Sequence, residues 1–394
     1  MKKSFWPILT LLILTIISIL LHATWCGTPM ASSETRWQEI VEYHRTFYPF
    51  SIRYFTTYLV LGINQLTGLP LRETFFALQY LLMGAAALLF NTFLHRVGFN
   101  RGWSLAGMAL FLASFPVIFA HSEPVFTWDD GWTYLYLLLA TISLINRSLW
   151  PAVVCFTLGC FAREQMLLYF PVLVLGVDLF CTGESRRRKL IALLFPLLIY
   201  GAFYFATYQS PDQKRFELLA YNFESGPAST NSLFSVFISF GAVWVAWIIG
   251  LRKRIDLGQG DGSGALNKFL RWSSIFAVVP TLLVGLLFAS ARETRIFFPP
   301  FLFVIPVALG WLRSQAKLIE SAALKRRRLM VVTMLSLVAI ALAMILTIRP
   351  DLDYRNCPDF CYLWGGIHLG LSAGLMAVAL LSGGDSKRSA RITS

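Results

Sequence analysis

Two adjacent carboxylates, Asp129 and Asp130, stand in the stretch HSEPVFTWDDGW at residues 121–132, with His121, Glu123 and Trp128 just before them. Carboxylates beside an imidazole suit a general base, or a seat for an optional divalent cation such as Mg or Mn. A helix N-cap explains one acid at a helix start. Two acids with a Glu, a His and the flanking Trp128 and Trp132 exceed what a cap needs. A second acidic group lies at 34–56, ETRWQEIVEYHRTFYPFSIRYFT. There Glu39, Glu42 and Tyr43 share one helical face, with His44, Arg45 and Arg53 close by. The plainer reading of that stretch is an interfacial helix with solvated charges, held at headgroup depth by Trp37, Phe47, Tyr48, Phe50, Tyr54 and Phe55.

The cations that could answer these acids recur in two similar tips. Ala162-Arg163-Glu164-Gln165-Met166-Leu167-Leu168-Tyr169-Phe170-Pro171 matches Ala291-Arg292-Glu293-Thr294-Arg295-Ile296-Phe297-Phe298-Pro299-Pro300 in the pattern A-R-E-x-x-[L/I]-[L/F]-[Y/F]-x-P. Arg grips phosphate oxygens in a fork, so Arg163, Arg292 and Arg295 suit a phosphate or diphosphate group. Glu164 and Glu293 suit the task of orienting those arginines. An Arg–Glu staple between two helix ends is the plainer reading.

The elements that must position these residues are membrane helices. The chain has 394 residues, of which 56% are hydrophobic and only 14% charged, against about a quarter charged in a soluble domain. Apolar runs predict an all-α, polytopic integral membrane protein with about twelve transmembrane helices. They fall near 5–25, 72–94, 103–120, 131–147, 149–163, 165–181, 190–208, 232–251, 272–290, 296–313, 329–348 and 363–382. The whole of 1–394 reads as a single transmembrane domain. Segment 26–70 is an outer loop with interfacial helices, and 252–271 and 314–328 are cytoplasmic loops. Met1-Lys2-Lys3 resembles a signal-peptide start, but the apolar run after it is too long, so it reads as a retained span.

The net charge of +13 would point to nucleic acid in a soluble protein. Here most Lys and Arg residues sit in short loops, including Arg186 to Lys189, Arg252 to Arg254 and Arg313 to Arg328, which is the positive-inside pattern. It places both termini in the cytoplasm, excludes nucleic acid as the expected partner, and collects most acids on the opposite face. Residues 54–69 are apolar but short and carry Asn64 and Gln65. Counting them as a span would send every later basic loop outward, so they read as an interfacial or re-entrant helix. Residues 255–267 read as a Gly-rich linker, since Gly258-Gln259-Gly260 lacks the strand and Lys of a phosphate loop. Segment 314–328 reads as a basic amphipathic helix against anionic lipid. Cys155, Cys160 and Cys181 read as packing residues, and Cys357 with Cys361 leaves a disulfide open.

Two short stretches carry a resemblance. Arg292-Glu293-Thr294-Arg295-Ile296-Phe297-Phe298-Pro299 resembles the E-x-R-φ-φ-x-P segment of a late outer hairpin in GT-C class membrane glycosyltransferases. Tyr48-Pro49-Phe50-Ser51-Ile52-Arg53-Tyr54-Phe55 resembles the P-F-x-x-R element after the first span of bacterial members. The likeness extends over the layout of about two thirds of the chain. It implies a cell-envelope enzyme of the inner membrane that transfers a mannosyl- or arabinosyl-like sugar from a polyprenyl-phosphate or diphosphate donor to a lipid or glycan acceptor on the non-cytoplasmic face. It implies an acidic base soon after the first span. The family's acid there is Asp, whereas this chain has Glu34, Glu39 and Glu42, so Asp129 or Asp130 is the alternative base. Tyr43, His44, Arg53, His121, Glu123, Trp128, Arg163, Glu164, Arg292, Glu293 and Arg295 are then the substrate-binding expectations. A transporter or flippase of a lipid-linked or amphipathic solute, and a glycan polymerase or ligase, stand as alternative readings.

Overall fold

A computed structural model describes residues 2–26, 34–47, 50–120, 129–207, 215–252, 263–291, 293–321, 324–348 and 358–392. Among these residues every regular element is helical. The helices are α1 (Lys2–Cys26), α2 (Glu34–Thr46), α3 (Tyr54–Thr67), α4 (Leu71–Arg96), α5 (Arg101–Leu112), α6 (Phe115–Ala120), α7 (Asp130–Ile145), α8 (Leu149–Ala162), α9 (Phe170–Phe180) and α10 (Arg186–Thr207). They continue with α11 (Arg215–Phe223), α12 (Gly226–Phe240), α13 (Val243–Arg252), α14 (Ser263–Phe288), α15 (Phe301–Ser321), α16 (Leu324–Ile348) and α17 (Pro358–Ile392). Short 3-10 turns lie at Phe50–Ile52, Glu164–Tyr169 and Thr294–Phe297.

Four described helices are long and apolar enough to cross a bilayer: Leu71–Arg96, Arg186–Thr207, Gly264–Phe288 and Cys361–Ala379. Their outward faces are apolar too, with Leu81, Leu198, Phe205 and Leu283 exposed. A helix that is apolar all round belongs in a core or in lipid. The centre is an aromatic stack in which Phe90, Phe111, Tyr134, Phe298 and Phe301 pack ring against ring. It joins α4, α5, α7 and α15, and its Tyr134 lies about one turn along α7 from Asp130.

Several expected spans are not single helices. The run 103–120 divides into α5 and α6, and 165–181 opens with the 3-10 turn Glu164–Tyr169 before α9. The run 296–313 likewise begins in a 3-10 turn and becomes α-helical only at Phe301. Pro171, Pro299 and Pro300 account for the late starts, because proline cannot donate into a preceding turn. The run 232–251 is bent by 71° between α12 and α13. Gly241 there adopts φ +53°, a conformation that favours glycine. The imidazole Nδ1 of His368 accepts the backbone N–H of Ala242 at 3.2 Å, supplying the acceptor the broken helix lacks. Residues 263–267, expected as part of a linker, open α14, and 314–328 is not a separate helix but the end of α15 and the start of α16. Gly258, Gln259 and Gly260 lie outside the described residues, as does Cys357.

The segment 54–69 is helical as α3, whose 14 residues reach about 21 Å, short of the roughly 30 Å hydrocarbon core. Its neighbour α2 is tied to α4, where Glu34 Oε1 accepts the backbone N–H of Leu71 at 2.7 Å. Trp37 of α2 packs on Phe75 and Phe76 of α4.

The turns sort into two ends. One end gathers the start of α3, the start of α7, the tip between α8 and α9, and the tip between α14 and α15. The other gathers the end of α7 before Arg147, the end of α9 before Arg186 and the start of α14, where Leu144, Gly176 and Phe269 meet, together with the end of α13, whose Leu251 carbonyl Arg271 holds. At that second end Arg96 donates to the Asn146 side chain, closing α4 against α7.

Candidate active site

Asp129 and Asp130 enter the bundle at the start of α7, and both are buried, at 2% and 0% exposure. They reach that depth because Gly131 follows. A Cβ at residue 131 would come within 2.9 Å of Leu82 Cβ on α4. Asp129 occupies the N-cap position but its side chain makes no cap hydrogen bond. It turns instead to α3, where Thr56 Oγ1 donates to Asp129 Oδ1 at 2.8 Å and an Arg53 nitrogen lies 3.9 Å from Oδ2. The capping explanation for one of the two acids therefore fails.

Arg53 is held in turn by the first A-R-E tip. Its Nε and a terminal nitrogen donate to the two oxygens of Glu164 at 3.0 and 2.5 Å, a full fork. Its guanidinium also lies 4.9 Å from the centre of the Phe50 ring. Glu164 thus orients Arg53, 111 residues away, rather than its own neighbour Arg163. Arg163 pairs with one oxygen of Asp130. The other Asp130 oxygen lies 3.8 Å from Arg295 of the second tip. Arg295 is itself clasped by Glu293, with Nε at 2.8 Å and a terminal nitrogen at 2.6 Å from a single carboxylate oxygen.

The two tips that resemble each other in sequence also meet. Gln165 Nε2 donates to the carbonyl of Ile296 at 2.6 Å. Each tip folds a bulky side chain back onto a glycine of the preceding helix: Met166 lies against Gly159, and Phe297 against Gly285. Asn222 of α11, unremarked in the sequence, fixes the second tip. Its amide donates to the carbonyls of Leu286 and Ala289 at 3.0 and 2.8 Å and accepts the N–H of Ala291 at 3.0 Å. The side chain thereby satisfies the end of α14, where the chain leaves the helix for Glu293 and Arg295.

Burial and pairing with arginine together set the charge state of the acids. Burial pushes the Asp129 carboxyl up to about 6, against the pull of Arg53 and the Thr56 hydroxyl. For Glu164 burial also acts upward, but the Arg53 fork outweighs it and holds the group at about 2. One acid is poised to exchange a proton near neutrality while its neighbour stays ionised.

The segment between α1 and α3 reaches this cluster through aromatics. His44 is buried with its ring 4.7 Å from Phe50, the ring that faces Arg53. Tyr43 stacks on Phe47 at 4.8 Å. Burial raises its hydroxyl pKa, and the Glu293 charge raises it further. Glu39 and Glu42 face outward, each with a side chain 60% exposed, and pair along the helix with Arg36 and Arg45 at 2.9 and 3.2 Å. His121, Glu123, Trp128 and Arg292 lie outside the described residues. Among the described residues no three His, Cys, Asp or Glu side chains converge as ligands for a metal ion. Asp129 and Asp130 face guanidinium groups, so they do not fit a divalent cation as they stand.

The assembled group is three arginines and four carboxylates at one end of the bundle. It can take a proton at Asp129 and offer Arg163 and Arg295 to an anion. No family profile, no curated protein and no solved structure matches the chain.

Proposed function

We propose that the chain is a GT-C type membrane glycosyltransferase, moving a sugar from a polyprenyl-phosphate-linked donor to a lipid or glycan acceptor on the non-cytoplasmic face. The observation that carries this reading is the buried Asp129–Asp130 pair, set among Arg53, Arg163 and Arg295 at the end away from the basic turns. Buried ionisable clusters in membrane proteins are costly and mark function. In this reading α1, α4, α5 with α6, α7, α8, α9, α10, α12 with α13, α14, α15, α16 and α17 make twelve crossings of the inner membrane, with both termini cytoplasmic. The 14 residues of α8 reach about 21 Å, so the Arg163 tip lies at the depth of a lipid-linked phosphate.

Asp129 is the base that this geometry favours. It accepts the proton of the acceptor hydroxyl, whose oxygen attacks the anomeric carbon of the donor. The bond from that carbon to the phosphate oxygen breaks, and the lipid phosphate leaves with the electron pair. Arg163 and Arg295 stabilise the departing charge, and Glu164 and Glu293 hold arginines in place. Glu39 and Glu42, solvated and paired on α2, are the competing bases.

The test is transfer of radiolabelled sugar from polyprenyl-phosphate donors by membranes carrying Asp129→Asn, Glu39→Gln, Glu42→Gln or Arg295→Lys. Loss in Asp129→Asn and Arg295→Lys supports the reading, and full activity in both ends it. A flippase or transporter is the second reading. The 71° break between α12 and α13 favours it, since discontinuous helices are a transporter device. Movement of labelled lipid across vesicles with no new glycosidic bond would select that alternative.

A further inference from the structure

At the opposite end of the bundle from the acid pair, a crevice of about 590 Å³ opens between the end of α13 and the start of α14. Lys268 and Arg271 line it at i and i+3, on one face of α14. Asn267 lines it as well and is buried, and Leu251 forms the facing wall. Arg271 donates to the Leu251 carbonyl, which ties the two helix ends together. That bond uses one of the five guanidinium donors. Among the described residues that line it, none is acidic. The mouth is open at Gly264, where a Cβ would meet nothing within 4 Å among the described residues.

The floor of the crevice differs from its mouth. Trp272 and Ile275 line it, and below them Val279 and Leu283 stand outward on α14, with Trp272 47%, Val279 47% and Leu283 54% exposed. Residues 272, 279 and 283 recur at near-helical spacing, so they form one outward stripe. From residue 272 to residue 283 the stripe runs about 16 Å, the reach of much of an acyl chain. Two cations over an apolar stripe, with a Trp between them at interfacial depth, match a molecule with a negative head and a hydrocarbon tail.

We propose that this crevice binds the phosphate headgroup of an anionic phospholipid, with an acyl chain lying along Trp272, Val279 and Leu283. The proposal rests on the chain lying in a bilayer and not on the sugar-transfer reading. Lipid binding and transfer activity are therefore lost or kept independently.

The test uses the full chain taken from vesicles of phosphatidylcholine containing a minor share of phosphatidylglycerol, with retained lipids counted by native mass spectrometry. The wild type is expected to retain phosphatidylglycerol over phosphatidylcholine by about fivefold or more. Lys268→Gln, which removes one cation, and Gly264→Trp, which fills the crevice and leaves every charge in place, are each expected to cut that preference about fivefold. Thermal midpoints of both variants are measured alongside, and both are expected to match the wild type. Millimolar inorganic phosphate is expected not to displace the lipid. Equal retention of the two lipids by the wild type would overturn the proposal. Wild-type preference in the folded Gly264→Trp variant, or displacement by inorganic phosphate alone, would overturn it as well.

Discussion

Gln165 and Ile296, 131 residues apart, are joined by a 2.6 Å hydrogen bond from the Gln165 side chain to the Ile296 carbonyl. This bond sets the two A-R-E tips against each other and lets one carboxylate, Asp130, face an arginine from each. Gln165→Ala is expected to leave the helices intact and to separate the tips, reducing sugar transfer by about tenfold while circular dichroism stays unchanged. Unchanged transfer would mean the two tips are held together by packing alone.

The Arg53–Glu164 fork should behave as a coupled unit. Arg53 is buried while the Glu164 side chain is 33% exposed, so the fork is worth less than a fully buried pair. Glu164→Gln is expected to lower stability by about 1–2 kcal/mol, and Arg53→Gln by somewhat more, because it strands Asp129 as well. The double variant should fall short of the sum. Thermal unfolding in a mild detergent measures all three, and strict additivity would refute the coupling.

Asp129 gives a pH signature with a definite sign. Its folded value of about 6 lies above the ordinary value of 3.8. Below about pH 4 the acid is protonated in both folded and unfolded chains. Between about 4 and 6 only the unfolded chain ionises, so stability falls as pH rises through this window, and above it the loss is complete. Asp129→Asn removes that slope, and melting curves from about pH 4 to 8 would show it. Transfer by the wild type should rise with pH through about 6, where the base becomes ionised.

Arg295 and Arg163 are expected to differ from lysine in their role. Arg295→Lys keeps the charge but loses the geometry in which Nε and a terminal nitrogen clasp Glu293. If the chain is the transferase proposed, turnover should fall by about a hundredfold with a smaller change in donor affinity, because in that mechanism the guanidinium acts on charge that develops during bond cleavage. A variant in which only the Michaelis constant moved would place Arg295 in ground-state binding instead.

Asn222 is predicted to matter as much as the charged residues. Asn222→Ala removes three hydrogen bonds and leaves the carbonyls of Leu286 and Ala289 and the N–H of Ala291 without that partner. The cost should be about 2–3 kcal/mol. Asn222→Asp, which keeps one acceptor but loses both donors, should recover only part of it. Midpoints of thermal unfolding for the two variants decide this.

Much of the helix layout was legible in the sequence because apolar runs and proline positions are local signals. The Asp129–Asp130 pair and the two A-R-E tips could be found for the same reason. What the tips do with one another could not. Glu164 lies next to Arg163 in the chain yet grips Arg53, because the extended backbone at Arg163, with φ −160° and ψ 128°, sends successive side chains opposite ways. Asn222 had no signal at all, since a single amide in a polar stretch looks like any loop residue until its partners arrive from α14. The bend at Gly241 was hidden for a related reason: hydropathy continues smoothly across it, and the His368 nitrogen that stabilises it comes from α17. Glu39 and Glu42 drew notice by their helical spacing, which reports a shared face but not which way that face points.

Gly131 gives the acid pair an unusual dependence on a residue that carries no chemistry. Leu82 occupies the place where any side chain at 131 would have to go. A methyl group there would lift the first turn of α7 and draw both carboxylates away from three arginines at once. The buried charge arrangement is in this sense shaped by an omission, and the smallest substitution in the neighbourhood would have the widest electrostatic effect.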